Sequence, residues 1–194
     1  MPLSEGPHLD LLREAIAVEG RGHRALLEGE ETAGAEALRE SSQLYRQSWE
    51  LASPTSYGRL IGMLKAAVIA GDASSAAAYV RTQLPDPVET PPAAYALAIA
   101  ALVEQDDSTA RAASTAMRGG SQPFIRAADA IDALADHDAD RYAAAVAAIV
   151  ADFEGREEHL TGVPIVDTAI MLERLAEPRG MGSRLVSPLL PPSR

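Results

Sequence analysis

Cysteine is absent from this chain, which removes disulfides, thiolate metal sites and cysteine nucleophiles from consideration. Lysine occurs once, at Lys65, within 17 basic residues set against 28 acidic ones. The formal charge is −11 and no basic stripe is available to neutralise phosphates, so nucleic acid is not an expected partner. The acidity serves solubility or favours a basic partner. Aromatic residues make up only 4%, and alternating apolar runs bounded by turn residues are missing, which argues against a sheet-rich fold. No stretch approaches the roughly 18 to 20 apolar residues of a membrane span. The opening MPLSEGPHLDLLREAIAVEGRG interrupts its apolar positions with charges and lacks a basic leader, so neither a secretory signal nor an anchor is expected. A cytoplasmic protein without cofactor or membrane association is the expectation.

What is present is alanine, with leucine, isoleucine and valine recurring at i, i+3, i+4 and i+7 almost throughout. That period predicts an all-α fold. Residues 8–28 and 32–52 read as a first helical pair. Ser53-Pro54 reads as an N-cap and first helical proline, opening a helix that ends at Gly71. The prolines at 85, 87, 91 and 92 make 85–91 a loop. Helices follow over about 92–105, 108–118, 121–135 and 139–159, and Pro164 opens a final helix over 164–177. The glycine-rich run GRGH at 20–23 reads as a kink or break.

Four breaks between partner helices share one layout: Glu28-Gly29-Glu30, Ala70-Gly71-Asp72, Gln105-Asp106-Asp107 and Asp136-His137-Asp138. Four positions before each final acid lie Leu26, Val68, Val103 and Leu134; five after lie Ala35, Ala77, Ala112 and Ala143. The acids are separated by 42, 35 and 31 residues. A helix-turn-helix unit of this period, with alanine where antiparallel helices approach, resembles the tetratricopeptide-repeat class over residues 8–160. The resemblance implies antiparallel helix pairs stacked as an α-α superhelix or helical bundle, in one helical domain over 1–194. The aromatic and glycine signature of that class is missing from the first helices.

The pentapeptide DHDAD at 136–140 has the greatest density of ligand-type groups. Asp136, Asp138 and Asp140 imitate the first positions of a calcium loop, but Arg141 and Ala147 stand where that loop needs glycine and a bidentate glutamate. The sequence therefore nominates no metal site. Asp138 instead sits at a helix start, where a carboxylate accepts free backbone N–H groups. Asp152, Arg156 and His159, at i, i+4 and i+7, share a helical face and read as surface ion pairing. No HExxH, GxSxG or phosphate-cradling glycine loop occurs, so no catalytic residue is nominated. Tyr45, Arg46 and Trp49 are the candidate binding residues, an aromatic wall for a peptide unless the two rings are simply the largest members of an alanine-built core.

The tail over 178–194 carries Leu185, Val186, Leu189 and Leu190 around its prolines, an apolar content that suits a non-helical strap packed on the core. The helix ADRYAAAVAAIVADFEGREEH, then VPIVDTAIMLERLAE and SPLLP, resemble in order the end of actinobacterial immunity protein 49-type helical proteins. That resemblance implies a toxin-neutralising binding protein from a bacterium, with no functional residue carried over. The expected function is a protein- or peptide-binding module without catalytic activity, with homo-oligomerisation open. The alternatives are the immunity role and an enzyme with its site between helices. A deep pocket with converging ionisable groups favours the enzyme; a shallow continuous face favours partner binding.

Overall fold

The chain reverses in the same way at four places. In the computed structural model, which describes residues 6–192, Gly29, Gly71, Gln105 and His137 have φ of 79°, 79°, 60° and 57°. After each, the next N–H reaches five residues back: Glu30 to Ala25 at 2.8 Å, Asp72 to Ala67 at 3.0 Å, Asp106 to Ala101 at 2.8 Å and Asp138 to Ala133 at 3.0 Å. These bonds close a Schellman-type end, satisfying carbonyls that a helix terminus otherwise leaves free. The third junction is thus Glu104-Gln105-Asp106, one residue earlier than the acid alignment places it. The shift puts buried Leu102, rather than half-buried Val103, in line with Leu26, Val68 and Leu134. Asp106 and Asp138 cap the helices that follow, accepting the N–H of Thr109 and Arg141 at 3.0 Å. Asp72 does not cap, because Ala73 holds the N-cap position of its helix.

These junctions join four helical hairpins: α1 (Pro7–Leu27) with α2 (Glu31–Leu51), α3 (Gly58–Ile69) with α4 (Ser74–Gln83), α5 (Pro91–Val103) with α6 (Asp107–Met117), and α7 (Gln122–Ala135) with α8 (Ala139–Glu154). A ninth helix, α9 (Asp167–Ala176), packs on α3, α7 and α8. No strand occurs among the described residues, and the fold is all-α. None of the described helices is long and apolar enough to cross a membrane. Helix α5 runs through the centre, touching α3, α4, α6 and α7, and six of its alanines are wholly buried. Small side chains there let backbones approach from several sides, so close packing replaces bulky residues as the source of contact.

Helix α8 ends at Glu154, where Gly155 takes the C-cap, and not near 159 as the sequence reading has it; two other boundaries differ for identifiable reasons. Ser53 and Pro54 form a turn, closed by Ser56 N–H on the Ser53 carbonyl at 3.0 Å, with proline at the second position that a β-turn favours. Helix α3 therefore begins at Gly58. Residues 163–166 stay non-helical because the tail pins them, Val166 N–H donating to the Leu189 carbonyl at 3.0 Å. The GRGH run is no break either: α1 is continuous through it. A Cβ on Gly22 would lie 2.9 Å from Leu38 Cγ and 3.1 Å from the Gly34 carbonyl, so this glycine permits α1 and α2 to touch.

In DHDAD the surplus groups tie neighbouring hairpins together. Asp136 accepts from Arg111 Nε at 2.6 Å and Arg141 Nη1 at 3.2 Å, while His137 Nε2 lies 2.9 Å from Asp107 Oδ2. Exposed pairs of this kind add little stability each. In the tail, Met181 is buried, Leu185, Leu189 and Leu190 pack against the core, and Val186 is exposed. Ser183 bonds the Glu173 carboxylate through its N–H at 2.9 Å and its hydroxyl at 2.6 Å.

Two predictions follow from the junctions and the strap. Gly71→Ala meets no neighbouring atom and so reports backbone strain alone, lowering the unfolding free energy in urea by about 1 kcal/mol, whereas Gln105→Gly raises it by roughly 0.5 kcal/mol. Deletion from Met181 onward uncovers apolar helix surface and lowers the melting temperature; an unchanged transition would show that the strap contributes nothing to folding.

Candidate functional site: a charged pocket between the hairpins

On α1, Glu19 and His23 lie one turn apart, so both point to the same side of the helix, and both are buried, at 3% and 2% exposure. Glycine flanks them: a Cβ on Gly20 would sit 3.0 Å from the Thr161 carbonyl oxygen, so the segment after α8 lies directly against α1. That segment brings the Thr161 hydroxyl to 3.2 Å from His23 Nδ1. From α2, Tyr45 donates its hydroxyl to Glu19 Oε2 at 2.7 Å. From α3, Lys65 forms an ion pair with Asp167, the first residue of α9, and its ammonium donates to Thr168 Oγ1 at 3.0 Å. Tyr95 of α5 is buried beside them.

These groups form the floor of a cavity of about 290 Å³. Its mouth carries Phe124 and Phe153, with Arg126, Asp152, Arg156 and His159 around them. Arg126 and Arg156 both pair with Asp152. The Arg156 guanidinium lies 3.7 Å from the Phe153 ring centre, and His159 sits on the same ring at 6.2 Å. Helix α8 ends at Glu154, so Arg156 and His159 lie beyond it and share no helical face with Asp152; Arg156 still pairs with Asp152, His159 packs near Phe153, and all three line the pocket.

Burial dominates the electrostatics of the floor. It pushes the Glu19 carboxyl up to about 7, helped by the Asp167 charge and opposed by the Tyr45 hydrogen bond and by Lys65. It pushes His23 down to about 4, keeping the imidazole neutral. For Lys65, burial alone would depress the ammonium, but Asp167, with Tyr95 and Glu19, more than offsets it and the net shift is upward. The reciprocal balance holds Asp167 below the usual carboxylate range, with Lys65 the main opposing charge. The floor thus combines an ion pair, a neutral imidazole and a carboxyl poised near neutrality. Glu19, His23 and Asp167 also present ligand-type atoms within 4.8 Å of one another.

No family model matches the chain, and no curated protein or solved structure matches it.

The three candidate binding residues do not share one surface. Tyr45 is buried on Glu19; Trp49 is buried too, stacked on Tyr57 at 5.8 Å and donating Nε1–H to Gln83 at 3.1 Å. Arg46 is exposed, 4.0 Å from the centre of the Tyr79 ring. The floor residues went unnominated, although two left a trace. Glu19 and His23 fall on the same helical stripe as Ala15, Val18 and Leu26, all buried, and Lys65 is a charged residue in the middle of the apolar helix GRLIGMLKAAVI. Asp167 left none, since only the return of α9 brings it there.

The opposed shifts of Glu19 and His23 give a pH test in chelating buffer. Between pH 4.5 and 6.5 unfolded Glu19 is losing its proton while the folded form keeps it, so this residue stabilises the fold less as pH rises. Over the same range unfolded His23 gains a proton that the folded form refuses, so its effect rises with pH. Each amounts to about 3 kcal/mol across its full range, and wild-type stability stays nearly flat between them. Glu19→Gln should lose stability as pH falls through this window and His23→Gln should lose it as pH rises, measured by urea unfolding; parallel profiles for all three proteins would contradict the assignment.

Proposed function

We propose that this protein binds a small organic molecule in the pocket between its hairpins, an apolar portion lying between Phe124 and Phe153 and a polar head reaching Glu19, His23 and Lys65. The observation that carries this reading is the convergence of four ionisable side chains, buried Glu19 and His23 with half-buried Lys65 and Asp167, from α1, α3 and α9 at the closed end of a cavity with an aromatic mouth. Desolvating such groups is expensive, and leucine or alanine would fill the same volume at no electrostatic penalty. Ligand pockets characteristically pair apolar walls with a few convergent polar groups, and perturbed ionisable residues gather at functional sites. Glu19, poised near neutrality, is equipped to give or take a proton from the bound molecule. These features favour a small-molecule site between helices, as the enzyme alternative expects, over a peptide-binding repeat.

The repeat reading has its own support in the four equivalent junctions, each of which closes one helical hairpin. A protein partner, including the toxin that the immunity-protein resemblance implies, would need a surface other than the one α9 covers on α3 and α7. The acidic charge suits a basic partner on such a surface.

Ligand-observed NMR with a library of small carboxylic acids, amides and amines tests the pocket reading. The buried, cavity-lining Ala127 is changed to leucine to fill the space, with helicity checked by circular dichroism. Compounds that bind wild type and compete for one site are expected to lose binding in Ala127→Leu and, for carboxylates, in Lys65→Met. A library giving no binder, or binders indifferent to Ala127→Leu, would contradict the proposal.

A further inference from the structure

Beyond its shape, the floor contains an electrostatic conflict. His23 is 98% buried by side-chain exposure of 2%, its Nδ1 is engaged by the Thr161 hydroxyl at 3.2 Å, and its Nε2 has no hydrogen-bond partner. With Nδ1–H donated to Thr161, Nε2 carries a lone pair. That lone pair faces Glu19 Oε1 at 3.9 Å, too far for a hydrogen bond and in a setting where two acceptors repel. Asp167 offers a carboxylate oxygen within 4.8 Å of one ligand-type atom of each of these two residues. Three acceptors around one point, in a region withdrawn from water, are arranged for a cation.

We propose that Glu19, His23 and Asp167 bind a divalent transition-metal ion, of the zinc or cobalt type, at the floor of the pocket. The proposal rests on the reading of this pocket as a ligand site and names what its floor would hold. One imidazole and two carboxylates suit such an ion and leave a coordination position open, as catalytic rather than structural sites do. Bond lengths of about 2.0–2.2 Å separate tetrahedral neighbours by roughly 3.4 Å, so the 3.9 Å gap between Nε2 and Oε1 closes with a shift of a few tenths of an ångström.

The surrounding bonds orient the ligands as an outer shell does. Tyr45 holds Oε2 of Glu19 and leaves Oε1 toward His23; Thr161 fixes the imidazole; the Thr168 N–H donates to Asp167 Oδ1 at 2.7 Å. Lys65 lies against Asp167 and opposes a dication, and this sets the ligand chemistry. With both carboxylates ionised beside one ammonium, the floor carries a single net negative charge, and a bound dication makes it a single net positive one. An anionic head group entering between Phe124 and Phe153 restores neutrality, so a small carboxylate is the class of molecule that fits the metal-loaded pocket.

The experiment uses the full chain, stripped with chelator and titrated with Co2+ and Zn2+. One equivalent of Co2+ should give visible absorption bands of a low-coordinate site, and Zn2+ should displace it. In a histidine side-chain 15N spectrum of the wild type, one of the four histidines should shift at the nitrogen without a proton. His23→Gln and Glu19→Gln should weaken Zn2+ at least tenfold, Tyr45→Phe by about 10- to 100-fold as an outer-shell loss, and His8→Gln, outside the pocket, should leave it unchanged. The wild-type spectrum decides the matter if the floor variants do not fold. No stoichiometric Co2+ or Zn2+ binding, or a shift of a histidine other than His23, overturns the metal site. Retained binding of small molecules sensitive to Ala127→Leu, without metal, would overturn the metal and leave the pocket standing.

Discussion

The Lys65–Asp167 ion pair is the contact on which the pocket depends. It joins α3 to the start of α9, and each charge makes the other tolerable: an ammonium or a carboxylate alone at this depth would carry an uncompensated desolvation penalty. With α9 packed on α3, α7 and α8, the segment that precedes it, from Thr161 to Val166, must pass over α1, and Thr161 meets His23 there. The tail then follows α9 back, its Leu189 carbonyl taking the Val166 N–H. The polar floor, the crossing segment and the strap are consequences of one docking event.

The hairpin array beneath that docking obeys simpler rules. Its reversals are local, set by a left-handed residue and a backbone bond five residues back, and they recur because the solution works for any sequence that can supply a tolerant residue. Glycine supplies it twice; Gln105 and His137 do so at some strain. His137 thereby occupies its conspicuous place in DHDAD as a junction residue whose ring then finds Asp107.

What could be read in the sequence divides along the same line. Periodicity revealed the helices and the acidic junctions revealed the hairpins, because both are properties of neighbouring residues. The third junction slipped by one residue since Asp106 and Asp107 are adjacent acids, and only the φ of Gln105 identifies which one caps. Ser53-Pro54 carries the same signal for a helix start as for a turn, and the Ser56 N–H on the Ser53 carbonyl closes it as a turn, with Trp49 stacked on Tyr57 beside it. The pocket was legible only as oddities, a glutamate and a histidine on an apolar stripe and the lone lysine in an apolar helix. Asp167 was invisible because its position depends on the path of the chain 102 residues after Lys65, which no local pattern encodes.

As proposed, the charged floor serves ligand binding and works against the stability of the bundle. The most direct measurement is the urea unfolding free energy of Lys65→Met, Asp167→Leu and the double variant. The account predicts that each single change costs about 3–5 kcal/mol by stranding the other charge, while the double variant returns to wild-type stability or exceeds it. A double variant as unstable as either single one would contradict it and make the ion pair a structural necessity.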